Sequence, residues 1–216
     1  MQRLTNLIII FFCCCNITAQ SWKLIDKDAT RGTIKLYKSL RKIQKTGTVF
    51  AHQHATEYGR GWSNEEDRSD VKSVVGEHPG MIGVDLSGLT RPNTEKIKAR
   101  LKKTVEDHYN RDGIITVAWH FSNPMGKGGF NWQGSDSIEV VKRLIPGGDG
   151  HEKYKNILDS IADWFKSCKG PKGELVPMIF RPYHEFDGGW FWWGANHCTI
   201  DEFKTLWRFT VRYLRD

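Results

Sequence analysis

The stretch Leu175-Val176-Pro177-Met178-Ile179-Phe180-Arg181-Pro182-Tyr183-His184-Glu185 changes character abruptly at its seventh residue. Its apolar first half suits a strand buried on both faces, as in a parallel sheet covered by helices. Its second half delivers a cation, a titratable ring and a carboxylate to one sheet edge. Gly188 and Gly189 follow, then four aromatics in a row, Trp190-Phe191-Trp192-Trp193. Indole faces stack on the apolar faces of sugar rings, and a carboxylate beside them can do proton chemistry on a glycosidic oxygen. A plainer alternative is a core strand leaving through an aromatic loop, with Arg181 and Glu185 as an ion pair. Nine tryptophans in 216 residues, clustered beside a His-Glu pair, favour a site.

The same pattern recurs upstream. Thr48-Val49-Phe50-Ala51 reads as a short strand ending at His52, Gln53 and His54. Met81-Ile82-Gly83-Val84 ends at Asp85, and residues 113–119 end at His120, with Asn123 just beyond. Helical periodicity fills the intervals: Thr33 to Gln44, a short helix in Asp67 to Gly76, Asn93 to Asn110 with Asn93 as N-cap, Tyr154 to Cys168, and Ile200 to Leu214. Alternating β and α elements predict a parallel sheet, with all four polar strand ends on one side. Chemistry at four separate strand ends favours a barrel rim over a doubly wound sheet, whose ligands gather at one switch point. The fold class is therefore α/β, the first four β/α units of a (β/α)8 TIM barrel, in one domain spanning residues 20–216.

Arg181-Pro182-Tyr183-His184-Glu185 with Gly189-Trp190-Phe191-Trp192-Trp193-Gly194 resembles glycoside hydrolase family 26, best known for endo-β-1,4-mannanases. Val117 to Pro124 and Gly83-Val84-Asp85 support the resemblance, which covers about residues 33 to 216. It implies a (β/α)8 barrel and a retaining endo-acting hydrolase of β-1,4-mannan-type polysaccharide. Glu185 then matches the general acid/base at the end of the fourth strand. Arg181, His184 and Trp190 match residues around the cleaved bond, His120 matches a sugar-contacting histidine, and Asn123 and His52 join the substrate-binding set. The partner implied is a polysaccharide such as mannan or galactomannan, and neither a metal nor a cofactor belongs to this chemistry.

A retaining enzyme needs a second carboxylate about 5 Å from the first. The resemblance places it at the end of a seventh strand, beyond Asp216, so the chain reads as an N-terminal half that is inactive alone. Asp85 and Asp187 read as structural acceptors rather than replacements. Leu206, Trp207, Phe209, Val211 and Leu214 form an apolar stripe expected to pack beneath a further strand. Two alternatives remain: a non-catalytic carbohydrate-binding remnant, and a β-xylanase or β-glucanase of the same family. His52 and His54 alternate along one strand but are too few for a metal site. Trp132, after a glycine-rich loop, is a candidate distal stacking platform.

Residues 1–19 read as a signal peptide: Arg3, an apolar stretch from Leu7 to Cys15, and a small residue at Ala19. The segment is too short for a membrane span, so secretion to the periplasm, cell surface or medium is expected. A lipid anchor on Cys13, Cys14 or Cys15 is the alternative, disfavoured by the Phe and Cys before them. Cys168 and Cys198 remain, as one disulfide or two thiols. The formal charge of +7 includes Arg3, the only charged residue of the leader. The remaining basic residues, such as Lys96, Lys98, Arg100, Lys102 and Lys103, alternate with Glu95, Glu106 and Asp107. That is a solvated helix face rather than a nucleic-acid surface.

Overall fold

The computed structural model describes residues 24–89, 94–126, 128–134 and 139–216. The leader and the expected cap Asn93 lie outside them. In chain order the elements are α1 (Arg31–Thr46), β1 (Ala51–Gln53), β2 (Tyr58–Gly59), β3 (Trp62–Ser63), α2 (Asp70–Val75) and β4 (Met81–Asp85). There follow α3 (Glu95–Asn110), β5 (Ile114–Ala118), α4 (Val140–Leu144), α5 (His151–Ser167), β6 (Ile179–Arg181) and α6 (Ile200–Arg215), with 3-10 turns at Leu86–Gly88 and Trp132–Gly134.

β1, β4, β5 and β6 form one parallel sheet in that order. β4 and β5 pair over five residues, from Met81 opposite Ile114 to Asp85 opposite Ala118. Ala118 in turn faces Arg181, so Asp85, the residues after Ala118 and Arg181 emerge at one edge. Ile82, Val84, Ile115 and Val117 lie on one face of the sheet and are buried there beneath helices, whereas Met81, Ile114 and Thr116 on the opposite face are only half-buried. α3 contributes Leu101 and Val105 to that cover, and α5 contributes Tyr154, Leu158, Ile161 and Trp164. Each such burial is worth about 1.5–3 kcal/mol. The Trp164 indole N–H also donates to Lys98 O at 3.2 Å, joining α5 to α3.

Two strands differ from their expected limits. The first is expected at 48–51 but pairs at 51–53. Val49 and Phe50 precede the ladder, and Phe50 is exposed although its carbonyl accepts from Met81 N at 3.2 Å. The last is expected at 175–180 but pairs only at 179–181. Pro177 has no N–H to give, and Leu175 and Val176 pair instead with the chain leaving α5. Sequence periodicity misses the β2–β3 hairpin and the five-residue α4. The hairpin turns at Gly61, where φ is +77°, and is fastened by the Trp62 indole N–H to Asp70 Oδ1 at 2.6 Å. The α6 stripe divides: Leu206 is buried and Phe209 packs on the core, whereas Trp207 and Val211 are exposed. Cys168 and Cys198 are free thiols, and burial pushes both up to about 11.

His108, at the end of α3, is 1% exposed, and a Cβ on Gly113 would lie 2.1 Å from its Nε2. Burial lowers its pKa from 6.5 to about 4, helped by the nearby charges of Arg111 and His78. The unfolded chain therefore binds the extra proton first. The stabilisation is complete above the unfolded value of 6.5 and is lost as pH falls towards the folded value of about 4. The full loss is on the order of 3 kcal/mol. Urea unfolding of the wild type should show this loss between neutral and acid pH. His108→Leu should flatten that part of the profile, and an unchanged profile would remove His108 as its source.

Candidate active site

β6 delivers its carboxylate through a turn that is held from both sides. Tyr183 and Glu185 take left-handed backbone conformations, with φ of +50° and +55°. Such residues cost about 1–3 kcal/mol each and persist only where the surroundings impose them. The Tyr183 hydroxyl is buried in a triangle with Tyr154 of α5 and Thr210 of α6. Tyr183 lies 3.1 Å from Thr210 Oγ1, Tyr154 lies 2.6 Å from the same oxygen, and the two phenols hydrogen-bond to each other. On the other side the Trp193 indole N–H donates to His184 O at 2.9 Å. Between these anchors Glu185 points outward, exposed, and its Oε2 accepts from the Trp190 indole at 2.9 Å.

The four consecutive aromatics do different things. Trp192 and Trp193 are 0% exposed, and Phe191 is buried, whereas Trp190 is 50% exposed. Only Trp190, then, is the open indole face; the reading of Trp192 and Trp193 as sugar-stacking surfaces is corrected, because both fill the core. Trp192 donates to Phe121 O at 2.7 Å. The loop folds back where Ala195 N meets Gly188 O at 2.9 Å, and a Cβ on Gly194 would lie 2.1 Å from that carbonyl. Only glycine fits there.

Trp132 is half-buried and stacks on His197, with centroids 3.7 Å apart and 24° between planes. Its backbone N–H donates to Trp190 O at 2.8 Å, and His197 Nε2 donates to Gly189 O at 2.7 Å. Trp132 thus braces the loop that carries Trp190. The side-chain oxygen of Asn123 accepts from Met125 N at 2.8 Å and closes the glycine-rich loop after β5.

Asp85, His120 and His184 meet across three strand ends. Asp85 Oδ2 lies 2.5 Å from His120 Nδ1, and His120 Nε2 lies 3.1 Å from His184 Nε2. Burial opposes ionisation of Asp85, but hydrogen bonds from His120 and from Ser87 N–H outweigh it and hold the carboxyl below its ordinary range. Burial lowers the His184 pKa, and the charges of His120 and Arg181 act the same way. Arg181 itself is exposed at the end of β6. His52 sits inside β1 opposite Ile82, and no described contact joins it to His120 or His184.

His54 also has a left-handed backbone, and its Nδ1 lies 2.6 Å from Glu57 Oε2. That hydrogen bond raises the His54 pKa against burial. Glu57 is 6% exposed, with Arg100 at 4.0 Å. His54, Glu57, Arg100, Asp85, His120 and Phe130 line a cleft of about 440 Å³ on this rim. A larger hollow of about 760 Å³ lies along α5 and α6, away from these groups. Sequence reasoning misses Glu57, Arg100 and Phe130, since none carries a motif. Among the described residues no group of three or more His, Cys, Asp or Glu side chains is placed to hold a metal ion. None of their helices is long and apolar enough to cross a membrane.

Comparison with known proteins gives this arrangement its kin. Residues 25–216 match the model of glycosyl hydrolase family 26. A mannan endo-1,4-beta-mannosidase of Bifidobacterium adolescentis is 34% identical over 204 residues, 91% of this chain and 20% of its own length. The GH26 beta-mannanase of Bacteroides ovatus superposes with a TM-score of 0.81 at 38% identity, covering 87% of this chain and 55% of the other. The catalytic domain of a Bacillus sp. JAMB-750 GH26 endo-beta-1,4-mannanase gives 0.83 at 36% identity, covering 91% and 53%. The chain therefore spans about half of these solved chains and a fifth of the Bifidobacterium protein. Its four parallel strands correspond to part of a TIM barrel, and the chain belongs to glycosyl hydrolase family 26.

Proposed function

We propose that this chain supplies the acid/base half of a retaining endo-β-1,4-mannanase site. The observation that carries the reading is Glu185, outward on a braced left-handed turn, with the exposed Trp190 indole 2.9 Å from its carboxylate. In this reading a sugar ring stacks on Trp190 while Glu185 protonates the glycosidic oxygen. The nucleophile comes from the part of the barrel that the relatives carry and the match does not reach. It forms the glycosyl-enzyme, and Glu185, now ionised, takes a proton from the attacking water. Asp85 is read instead as a hydrogen-bond acceptor that orients its neighbours, taking bonds from Ser87 N and the His120 ring. His120, His184 and Arg181 border the reacting sugar, with Asn123 and His52 further out. We assign residues 1–19 to export, which would place the site where polysaccharide is met.

The test is a fusion of residues 24–216 to the second half of the Bacteroides ovatus relative. The fusion should release reducing sugar from galactomannan in preference to xylan or mixed-linkage glucan. Residues 24–216 alone should release none above a Glu185→Ala control. A folded fusion that binds mannan without cleaving it would favour a carbohydrate-binding role and overturn the hydrolase reading.

A further inference from the structure

Asp85, His120 and His184 form an unbranched chain of hydrogen bonds, and its chemistry fixes where each proton sits. An ionised carboxylate only accepts, so His120 must donate through Nδ1. In a neutral ring His120 Nε2 is then a lone pair, and His184 Nε2 must donate to it. That leaves His184 Nδ1 bare, and this atom is buried without a partner. The opposite arrangement would bury an N–H there with nothing to accept it, which is unfavourable. Phe130 and Phe191 pack against the pair: His120 lies 4.7 Å from Phe130 and His184 lies 5.3 Å from Phe191, centroid to centroid.

We propose that Asp85 is a positioning residue that, through His120, commits the ring protons of both histidines to this chain. His184 is thereby held as the Nε2–H tautomer with a bare Nδ1. Resting on the hydrolase reading above, the consequence is that neither histidine offers a free proton beside the reacting sugar. Glu185 is then the one proton-transfer group at this end of β6.

The other oxygen of Asp85 makes the inference testable. Oδ1 accepts from Ser87 N at 2.7 Å and from His120 N at 3.3 Å, two backbone donors that do not move with the side chain. In Asp85→Asn these donors hold the amide oxygen in the Oδ1 position and turn its NH2 towards His120 Nδ1. That nitrogen must then accept, so His120 becomes the Nε2–H tautomer and His184 the Nδ1–H tautomer. Both rings invert.

Nitrogen-15 NMR of histidine-labelled chain at alkaline pH distinguishes the tautomers directly, with His120→Gln and His184→Gln spectra for assignment. The wild type should show His120 protonated on Nδ1 and His184 on Nε2. Asp85→Asn should exchange the two patterns, while Asp85→Ala, which leaves His184 Nδ1 buried without a partner, should keep His184 on Nε2. A merely structural Asp85 would make Asn and Ala alike. His120 found on Nε2 in the wild type would overturn the proposal. So would an unchanged His184 in a folded Asp85→Asn chain. No turnover is needed, so failure of this inference and failure of the hydrolase reading are read separately.

Discussion

Glu185→Ala in the fused barrel is expected to lower hydrolysis of mannan by about 10²–10⁴-fold, the range that a positioned general acid supplies. The loss should fall unevenly. A mannosyl leaving group departs as a poor alkoxide and needs the proton that, on the proposed mechanism, Glu185 gives. An activated aryl β-mannoside departs without one, so its first step should be spared. The glycosyl-enzyme then lacks a base to activate water, and it should accumulate as a burst of released phenol. Azide needs no deprotonation and should restore turnover, giving β-mannosyl azide with retained configuration. The Trp190 indole loses its acceptor in this variant but stays braced through Trp132 and His197, so the stacking surface should survive. Stopped-flow release of the aryl group and mass analysis of the azide product check both parts. Equal loss on polymer and activated substrate, with no azide product, would take Glu185 out of the acid/base role.

Trp193→Ala should be the most damaging single change to stability at the site. The ring is 0% exposed, stacks on Phe191 at 4.5 Å, meets Trp192 edge-on at 5.1 Å and contacts Tyr183 at 6.2 Å. Truncating such a ring costs about 3–5 kcal/mol. With a urea dependence at the upper end of about 1–3 kcal/mol per molar, the midpoint should fall by roughly 1–2 M. Trp193→Phe separates the two causes. It keeps most of the ring but leaves His184 O without its N–H, at a cost of about 1–3 kcal/mol. Equal losses in Ala and Phe would show that the hydrogen bond, and not the packed ring, dominates.

How much was legible in the sequence depends on how local the cause was. β4 and β5 could be read because Met81-Ile82-Gly83-Val84 and Ile114-Ile115-Thr116-Val117-Ala118 are short apolar, β-branched runs, and the observed strands fall within a residue or two of expectation. β1 could not be placed so closely: Ala51, His52 and Gln53 carry no apolar pattern, and their pairing is set by the register against Met81, Ile82 and Gly83. Glu185, His184 and His120 stood out as strand-end residues in a recognisable motif. The bond from Asp85 to His120 spans 35 residues and follows from the lateral order of strands, which composition does not encode. Indoles misled for a similar reason. Trp190 and Trp193 have the same chemistry in sequence, and only the fold decides that one faces solvent and the other fills the core.

The hydroxyl triangle at Tyr183 has a consequence for engineering. Two of its three members belong to α5 and α6, helices that need not touch a substrate, yet their hydroxyls hold the turn that carries Glu185. Aim and taste are therefore specified by different parts of the polypeptide. Libraries that randomise the loop around Trp190 can explore new sugars while the carboxylate keeps its bearing. An apparently neutral exchange at Thr210, chosen only to improve a helix, would shift that bearing from behind.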